Sequence, residues 1–486
     1  TVSGGKLTIS GTGPTWDGVY TDGQNLQGPH GFMYHQAHWS EIEEIVIEPG
    51  VTYIGTDFFH SFVYATSVSI PNTVMGIASG AFQGCTKLER LTIPDSVTTI
   101  GNCAFGTCGI KELTLGSGLE SIGELAFGDC EQLTKVTIPA SVTRIGTNAF
   151  ANCSALQQIA VASGNENYSS KGGALFNKAG TTLLSVPGGF SGSYQIPDGV
   201  TEIGPDAFDH CGKLTQVVLP NDVTVIGEYA FSSCEALQKI SVGTGVKSVG
   251  AEAFQSCSAL EGGYITDLAA WCSIDFDGWS NPLAYAEKLY LNGTLVEQLT
   301  IPQSVKKIAD RAFLWDSSLK ELVIPNSVTS IGKEAFYAAE SLKTIRFEGS
   351  APQIGEDCFH SVFATVYYPA GDATWTEAVR QNYGGSLTWV AQGSAPAAPT
   401  LSSVTGVTDG IKVSWGAVSG AYAYNIYRST SENGTYSYVG NTGSTSYTDT
   451  TAKAGTTYWY KVKSYWKVDG SNVYSDYSTA KSATAK

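Results

Sequence analysis

IPDSVTTIGNCAFGTC, residues 93–108, decides the fold because the chain repeats it: IPASVTRIGTNAFANC stands at 138–153 and IPNSVTSIGKEAFYAA at 324–339. Aligned on its phenylalanine, the phrase falls at Phe59, Phe82, Phe105, Phe127, Phe150, Phe208, Phe231, Phe254, Phe313, Phe336 and Phe359. Successive gaps are 23, 23, 22, 23, 58, 23, 23, 59, 23 and 23. A period held from residue 59 to residue 359 specifies a solenoid, in which each coil buries its apolar face only against its neighbours.

Within one coil, Leu88-x-x-Leu91-x-Ile93 matches the L-x-x-L-x-L core of leucine-rich repeats, where a short strand lines one face of an arc. Side chains alternate along a strand, so Leu91 and Ile93 point inward and Arg90 and Thr92 outward. Pro94 cannot donate to a ladder and marks the exit from the sheet; Asp95 and Ser96 make the turn, and Val97 and Ile100 re-enter the core. Gly101 permits the next sharp corner, and Ala104 with Phe105 fill the space behind it. The expected fold is a right-handed α/β-type leucine-rich repeat solenoid of about 23 residues per coil, with a parallel β-sheet on one face. A phenylalanine spine should run its whole length.

Two long gaps interrupt the array, near 160–196 and 260–298. The first predicts a hairpin with its tip at Lys178, Ala179 and Gly180; the second is aromatic and predicts a short helix around Leu268 to Cys272. The period fails before residue 41 and after about 365, so residues 1–40 and 366–393 are expected to cap the open ends of one solenoid domain, 1–393. The Pro/Ala stretch 394–400 reads as a semi-rigid linker. Beyond it, residues 401–486 give about seven alternating runs separated by Asp409-Gly410, Asn433-Gly434, Ala454-Gly455 and Asp469-Gly470, the pattern of an all-β immunoglobulin-like sandwich.

Of 486 residues, 42% are hydrophobic and 15% charged, with no apolar run near twenty residues; this excludes disorder and insertion of a helix into a membrane. Neither end carries a secretory apolar segment, so the chain reads as mature or trimmed. The 28 Lys and Arg against 44 Asp and Glu give a net charge of -16, which repels phosphate backbones and argues against nucleic acid as a partner. The acidity is uneven: residues 394–486 hold 8 basic and 5 acidic side chains, leaving 20 and 39, net -19, in the first 393.

Seven of the ten cysteines, Cys85, Cys108, Cys130, Cys153, Cys211, Cys234 and Cys257, sit three residues after the phased phenylalanine. Equivalent atoms in adjacent coils lie about 4.8 Å apart with parallel Cβ vectors, whereas a bridge wants Cβ atoms about 3.8 Å apart, so buried free thiols are expected. No C-x-x-C pair points to a metal. His30, His35 and His38 crowd the amino-terminal cap, and Asp275-x-Asp277-Gly278 hints at calcium, but cap packing and a turn are the preferred readings. No nucleophile elbow, phosphate loop, zinc-protease helix or paired carboxylates occur, so neither catalytic residues nor a cofactor is expected.

Binding residues are sought on exposed faces. Outward strand positions such as Thr92, Thr114, Thr137 and Val323 are small or β-branched, good strand chemistry but a poor platform for sugars. The neighbouring column, with Arg90, Glu112 and Lys135, mixes charges and suits a protein surface. The second interruption crowds Trp271, Trp279, Tyr285 and Tyr290 together, and insertions in solenoids map to loops, often on a binding face. In the sandwich, Trp415, Tyr424 and Tyr458 read as core and Trp466 as an exposed contact.

The phrase IP-x-SV-T-x-IG-x-x-AF-x-x-C followed by L-x-x-L resembles the BspA-like class of bacterial leucine-rich repeats over most of residues 41–362. The segment around Trp39 and IEEIVIEPGVTYIG looks like the opening of such arrays. Trp415 in IKVSWGAV, the run YAYNIYRS, and Tyr458 in AGTTYWYKVKSY resemble the fibronectin type III signature. These resemblances imply an extracellular bacterial protein, secreted or attached to the cell surface, that recognises host matrix or neighbouring-cell proteins without catalysis. A glycan ligand, as for an accessory module of a larger surface enzyme, and a purely structural stalk are the alternatives. Cysteine is replaced at Asp316, Ala339 and Val362, a departure from the pattern.

Overall fold

A computed structural model describes residues 1–15, 20–21, 25–26, 41–370, 372–392, 396–419, 421–468 and 471–486. Each regular coil crosses two parallel ladders. The leucine segment builds one: Arg90–Thr92 pairs with Glu112–Thr114, placing Leu91 beside Leu113, and Lys135–Ile138 pairs with Gln158–Val161. The Val-Thr-x-Ile-Gly segment builds the other, where Gly76–Ile77, Thr99–Ile100, Ser121–Ile122 and Arg144–Ile145 lie side by side. Hydroxyls of the same phrase tie coils together. Thr98 and Thr143 donate to the Met75 and Glu120 carbonyls one coil back (3.1 and 3.2 Å), and Ser96 and Ser141 to those of Val74 and Leu119 (2.6 Å each).

This arrangement corrects the expected α/β label. Among the described residues α-helix is confined to Leu268–Trp271 and Leu283–Ala286, both in the second interruption, so the coils are all-β. The return segment stays extended because its β-branched residues favour strand and their hydroxyls find carbonyl partners across the ladder. The corner also works differently. A Cβ on Gly101 would stand 2.5 Å from Ser79 N and 2.6 Å from Ala78 C, so glycine there permits close approach of coils. The sharp turning falls two residues before and after the phased phenylalanine, where Asp57 and Ser61, Leu125 and Asp129, and Arg311 and Trp315 take φ between 51° and 62°.

The spine does not run the full length. Phe59, Phe82, Phe105, Phe127 and Phe150 stack with centroids 4.9–5.5 Å apart; Phe208, Phe231 and Phe254 form a second stack, and Phe313, Phe336 and Phe359 a third. Each interruption ends a stack. At the first, Ala174–Asn177 and Thr182–Ser185 form the expected antiparallel hairpin around Lys178–Gly180, and the interior divides, Leu175 packing with one apolar cluster and Phe176 with the next. At the second, Asp267 caps Leu268–Trp271 by accepting the Ala269 and Ala270 N–H groups (2.8 and 3.1 Å). The ladder reaches beyond the sequence period at both ends. Lys6–Ile9 pairs in parallel with Glu44–Ile47, and Ser386–Gln392 with Phe363–Pro369.

All ten cysteines are free. The phased thiols are satisfied across coils, Cys108 donating to the Phe82 carbonyl (3.2 Å) and Cys130 to that of Phe105 (3.3 Å). Residues 401–486 form two antiparallel sheets over a core that includes Ile411, Trp415, Tyr424, Ile426, Tyr458 and Tyr460.

Candidate functional site

The candidate residues of the second interruption are separated by the fold. Trp271 is core: it is 1% exposed, its Nε1–H donates to the Ala312 carbonyl (2.8 Å), and its ring packs 5.3 Å from Phe276. It cannot touch a ligand, which removes it from the expected set. Tyr285 leans half-buried on the same core. Tyr290 lies on the outer face of the leucine ladder, register partner of Tyr264 and stacked on it at 4.6 Å, with Lys239 Nζ 5.7 Å from the Tyr264 ring. Arg90 and Glu112 are exposed neighbours in an ion pair of 3.5 Å; Lys135 is exposed on the same ladder face. Trp466 is half-buried, and its Nε1 is buried without a partner among the described residues.

Trp279 takes a different place. It is 41% exposed and meets Trp315 edge-on at 6.2 Å and Tyr337 at 5.8 Å; Tyr337 in turn stacks on His360 at 4.5 Å and 3°. These four rings make a continuous aromatic ridge over the last three coils. The coil corners position it: Trp315, Tyr337 and His360 follow Phe313, Phe336 and Phe359 by two, one and one residues, and the Trp315 N–H donates to the Tyr337 carbonyl (2.7 Å). Trp315 holds φ +58°, the left-handed conformation that the same corner takes in other coils, as at Thr107, Asp129 and Ser256 (58°, 58° and 60°), so the backbone belongs to the coil and only the bulky side chain is special to the ridge. Charges frame the ridge. Arg311 Nε lies 2.6 Å from Glu334, Lys333 bridges Glu334 and Glu356 at 3.6 Å each, and His360 Nδ1 stands 4.0 Å from Asp357.

Trp315, Tyr337 and His360 are not among the residues expected from the sequence, which lie on the strand face, in the second interruption and in the sandwich. The two columns after the aligned phenylalanine hold the signal: apart from His60 and His210, earlier coils carry small or polar residues there, such as Gly106, Thr107, Gly128, Asp129, Ser232 and Ser233, and Trp and Tyr enter only at Trp315 and Tyr337. The ridge has flat apolar faces and donors at its rim, suited to holding a partner. Asp275–Phe276 joins the second ladder and Gly278 turns at φ +56°, so the calcium-like triplet is strand and turn. Among the described residues no three His, Cys, Asp or Glu side chains group as a metal site; His30, His35 and His38 lie outside those residues.

A family described as BspA type leucine rich repeat region matches residues 52–178, 191–268 and 284–369, more than half of the chain, in six copies. A leucine-rich repeat protein from Eubacterium ventriosum is 24% identical and covers 78% of this chain and 94% of its own, with a TM-score of 0.51. Another, from Bacteroides ovatus, is 24% identical over 75% of this chain and 97% of that one, also with a TM-score of 0.51. Both likenesses show the fold. Over 95 residues the chain is 41% identical to a poly(3-hydroxybutyrate) depolymerase of Ralstonia pickettii, a match spanning 19% of this chain and only 18% of that protein.

Proposed function

The chain belongs to the BspA type leucine-rich repeat family, and we propose that it is a non-catalytic extracellular protein whose solenoid binds a protein partner on a host matrix or a neighbouring cell. The observation that carries the reading is the ridge of Trp279, Trp315, Tyr337 and His360. Binding hot spots are rich in Trp and Tyr, and a rigid array presents such anchors at little ordering cost. The net charge of -19 in the first 393 residues steers a basic partner toward the solenoid, an attraction that weakens with salt. Thiols fit an oxidising surroundings when hidden, and burial pushes Cys257 and Cys272 up to about 12, holding them un-ionised. The sandwich, read as fibronectin type III-like, serves as spacer or second contact.

The test compares wild type with a Trp279→Ala/Trp315→Ala variant in pull-downs against purified host matrix proteins and neighbouring-cell surface proteins. Capture by wild type, lost in the variant, supports the reading; equal capture by both removes the ridge from it. A second reading, an accessory module of a larger surface enzyme, draws on the 95-residue match to a depolymerase. The polymer named for that enzyme is a polyester, so the match speaks for an enzyme accessory module and not for a sugar; the glycan form of the reading rests on the exposed Trp279 alone, and a glycan array tests it by binding that Trp279→Ala abolishes.

A further inference from the structure

The sandwich carries a second surface with chemistry the ridge lacks. On the outer face of the sheet made by Ser437–Thr442, Ala423–Ser429 and Thr457–Val468, Tyr438 is the register partner of Tyr427, and Tyr427 that of Lys461. The next row is Asn441, Asn425 and Lys463. Tyr477 closes the patch: Lys463 Nζ lies 4.2 Å and Lys461 Nζ 5.8 Å from its ring centre, and Lys461 also stands 4.4 Å from Tyr436. Both ammonium groups are thus held in place by rings, and neither has a carboxylate partner among the described residues, unlike Arg90, Lys111, Arg311 or Lys320 of the solenoid. No carboxylate occupies an outward position in these rows. Glu432 and Asp476 stand at the rim, where Tyr436 Oη donates to the Glu432 carbonyl (2.8 Å).

We infer that this face binds an acidic polysaccharide, its sugar rings lying against Tyr427, Tyr438 and Tyr477 and its carboxylates on Lys461 and Lys463. Tyr438 and Tyr477 are 56% and 41% exposed, so the rings are reachable. The lysines leave strand positions two residues apart, about 7 Å along the chain, which presents two charges to one extended polymer. Ring geometry decides between polyanions. Tyr427 meets Tyr438 at 73° and Tyr477 at 84°, so the rings form a corrugated floor instead of the parallel platform on which successive bases stack. Puckered sugar rings fit such a floor, and their hydroxyls find the Oη groups of Tyr438 and Tyr477; Asn441 Nδ2 already donates to Asn425 Oδ1 (2.7 Å) and ties the adjacent row together.

The site is separate from the ridge: its tyrosines and lysines all lie in the sandwich. It is tested on the full chain by affinity electrophoresis and titration calorimetry with polygalacturonate, neutral dextran and oligothymidylate. Polygalacturonate should bind at low salt and release as salt rises, and dextran should not bind. Lys461→Ala/Lys463→Ala should weaken binding about tenfold or more, Tyr438→Ala less, and Trp279→Ala/Trp315→Ala not at all. Both Tyr438 and the lysines lie on the outer face, so circular dichroism should show each variant folded. The inference is overturned by no binding of polygalacturonate, by binding that survives loss of both lysines, or by oligothymidylate binding as tightly.

Discussion

The coils around Phe105, Phe127 and Phe150 and those around Phe313, Phe336 and Phe359 share one backbone and differ in what it displays. Both sets stack their phenylalanines and take left-handed φ two residues on either side of them, at Cys103 and Thr107 as at Arg311 and Trp315. In the two positions past the phenylalanine, the first set shows Gly106, Thr107, Gly128, Asp129, Ala151 and Asn152, and the second Leu314, Trp315, Tyr337, Ala338, His360 and Ser361, one ring in each coil. Three residues past it, the first set has Cys108, Cys130 and Cys153, and the second Asp316, Ala339 and Val362. A repeat constrains the interior of each coil and leaves its corner free. Departures at the corner therefore inform about ligands, whereas departures inside inform about stability.

The largest expected effect tests that division. Phe127→Ala should cost about 3–5 kcal/mol, since it opens a cavity between two stacked neighbours, while Trp279→Ala should change stability by well under about 1 kcal/mol. Urea unfolding of both variants measures the contrast. Equal losses would make the ridge a packing feature and end its claim as a binding site.

Asp316 breaks the pattern from within. A phased cysteine donates to the phenylalanine carbonyl one coil back, but Asp316 follows an interruption, and the preceding phased residue, Phe254, lies in another stack. The carboxylate uses Oδ1 to accept from Ser318 N (3.0 Å) and Oγ (2.6 Å), and Oδ2 is buried with no partner among the described residues. Burial pushes its pKa to about 6, against the hydrogen bonds from Ser318. A folded value above the unfolded one means that folding takes up a proton. Stability is therefore complete below the ordinary carboxylate range and falls as pH rises toward 6, by about 3 kcal/mol over roughly two units. Asp316→Cys should remove that fall in denaturation measured at pH 4.5 and 7.5. A slope unchanged in the variant would show that another group carries it.

Asp449 in the sandwich shows the opposite sign. Burial opposes its charge, but hydrogen bonds from Thr451 and Tyr460 and the nearby Arg428 outweigh that, holding the carboxyl below its usual range. Its contribution is lost as pH falls, so Asp449 and Asp316 should respond to acid in opposite directions.

What could be read beforehand follows from the same physics. The period and the leucine ladder were legible because burial repeats Leu88, Leu91 and Ile93 in every coil. The second ladder was not, since two-residue strands such as Thr99–Ile100 leave too little alternation to tell strand from turn. The left-handed corners were hidden because Leu125, Tyr229 and Trp315 occupy them without glycine. Among the interruption's aromatics, composition alone could not separate Trp271, which fills the core, from Trp279, which leaves it. Both meet the coil around Phe313, Trp271 at the Ala312 carbonyl and Trp279 at the Trp315 ring, and which side of the coil each reaches depends on the path of the insert.

Trp315 gives the smallest and most diagnostic effect. At φ +58° a side chain with a Cβ costs about 1–2 kcal/mol that glycine avoids, and glycine loses about 0.5–1 kcal/mol more conformational freedom on folding. Trp315→Gly should thus stabilise by up to about 1 kcal/mol, less the packing lost against Trp279. The same change at Gly84, the equivalent corner two residues after Phe82, is already made by the sequence. If Trp315→Gly raises the urea midpoint while protein binding weakens, a destabilising residue is kept for its exposed face. If the variant is destabilised by more than about 1 kcal/mol, the ring holds the corner together, and the last three coils differ from the first in packing instead of in recognition.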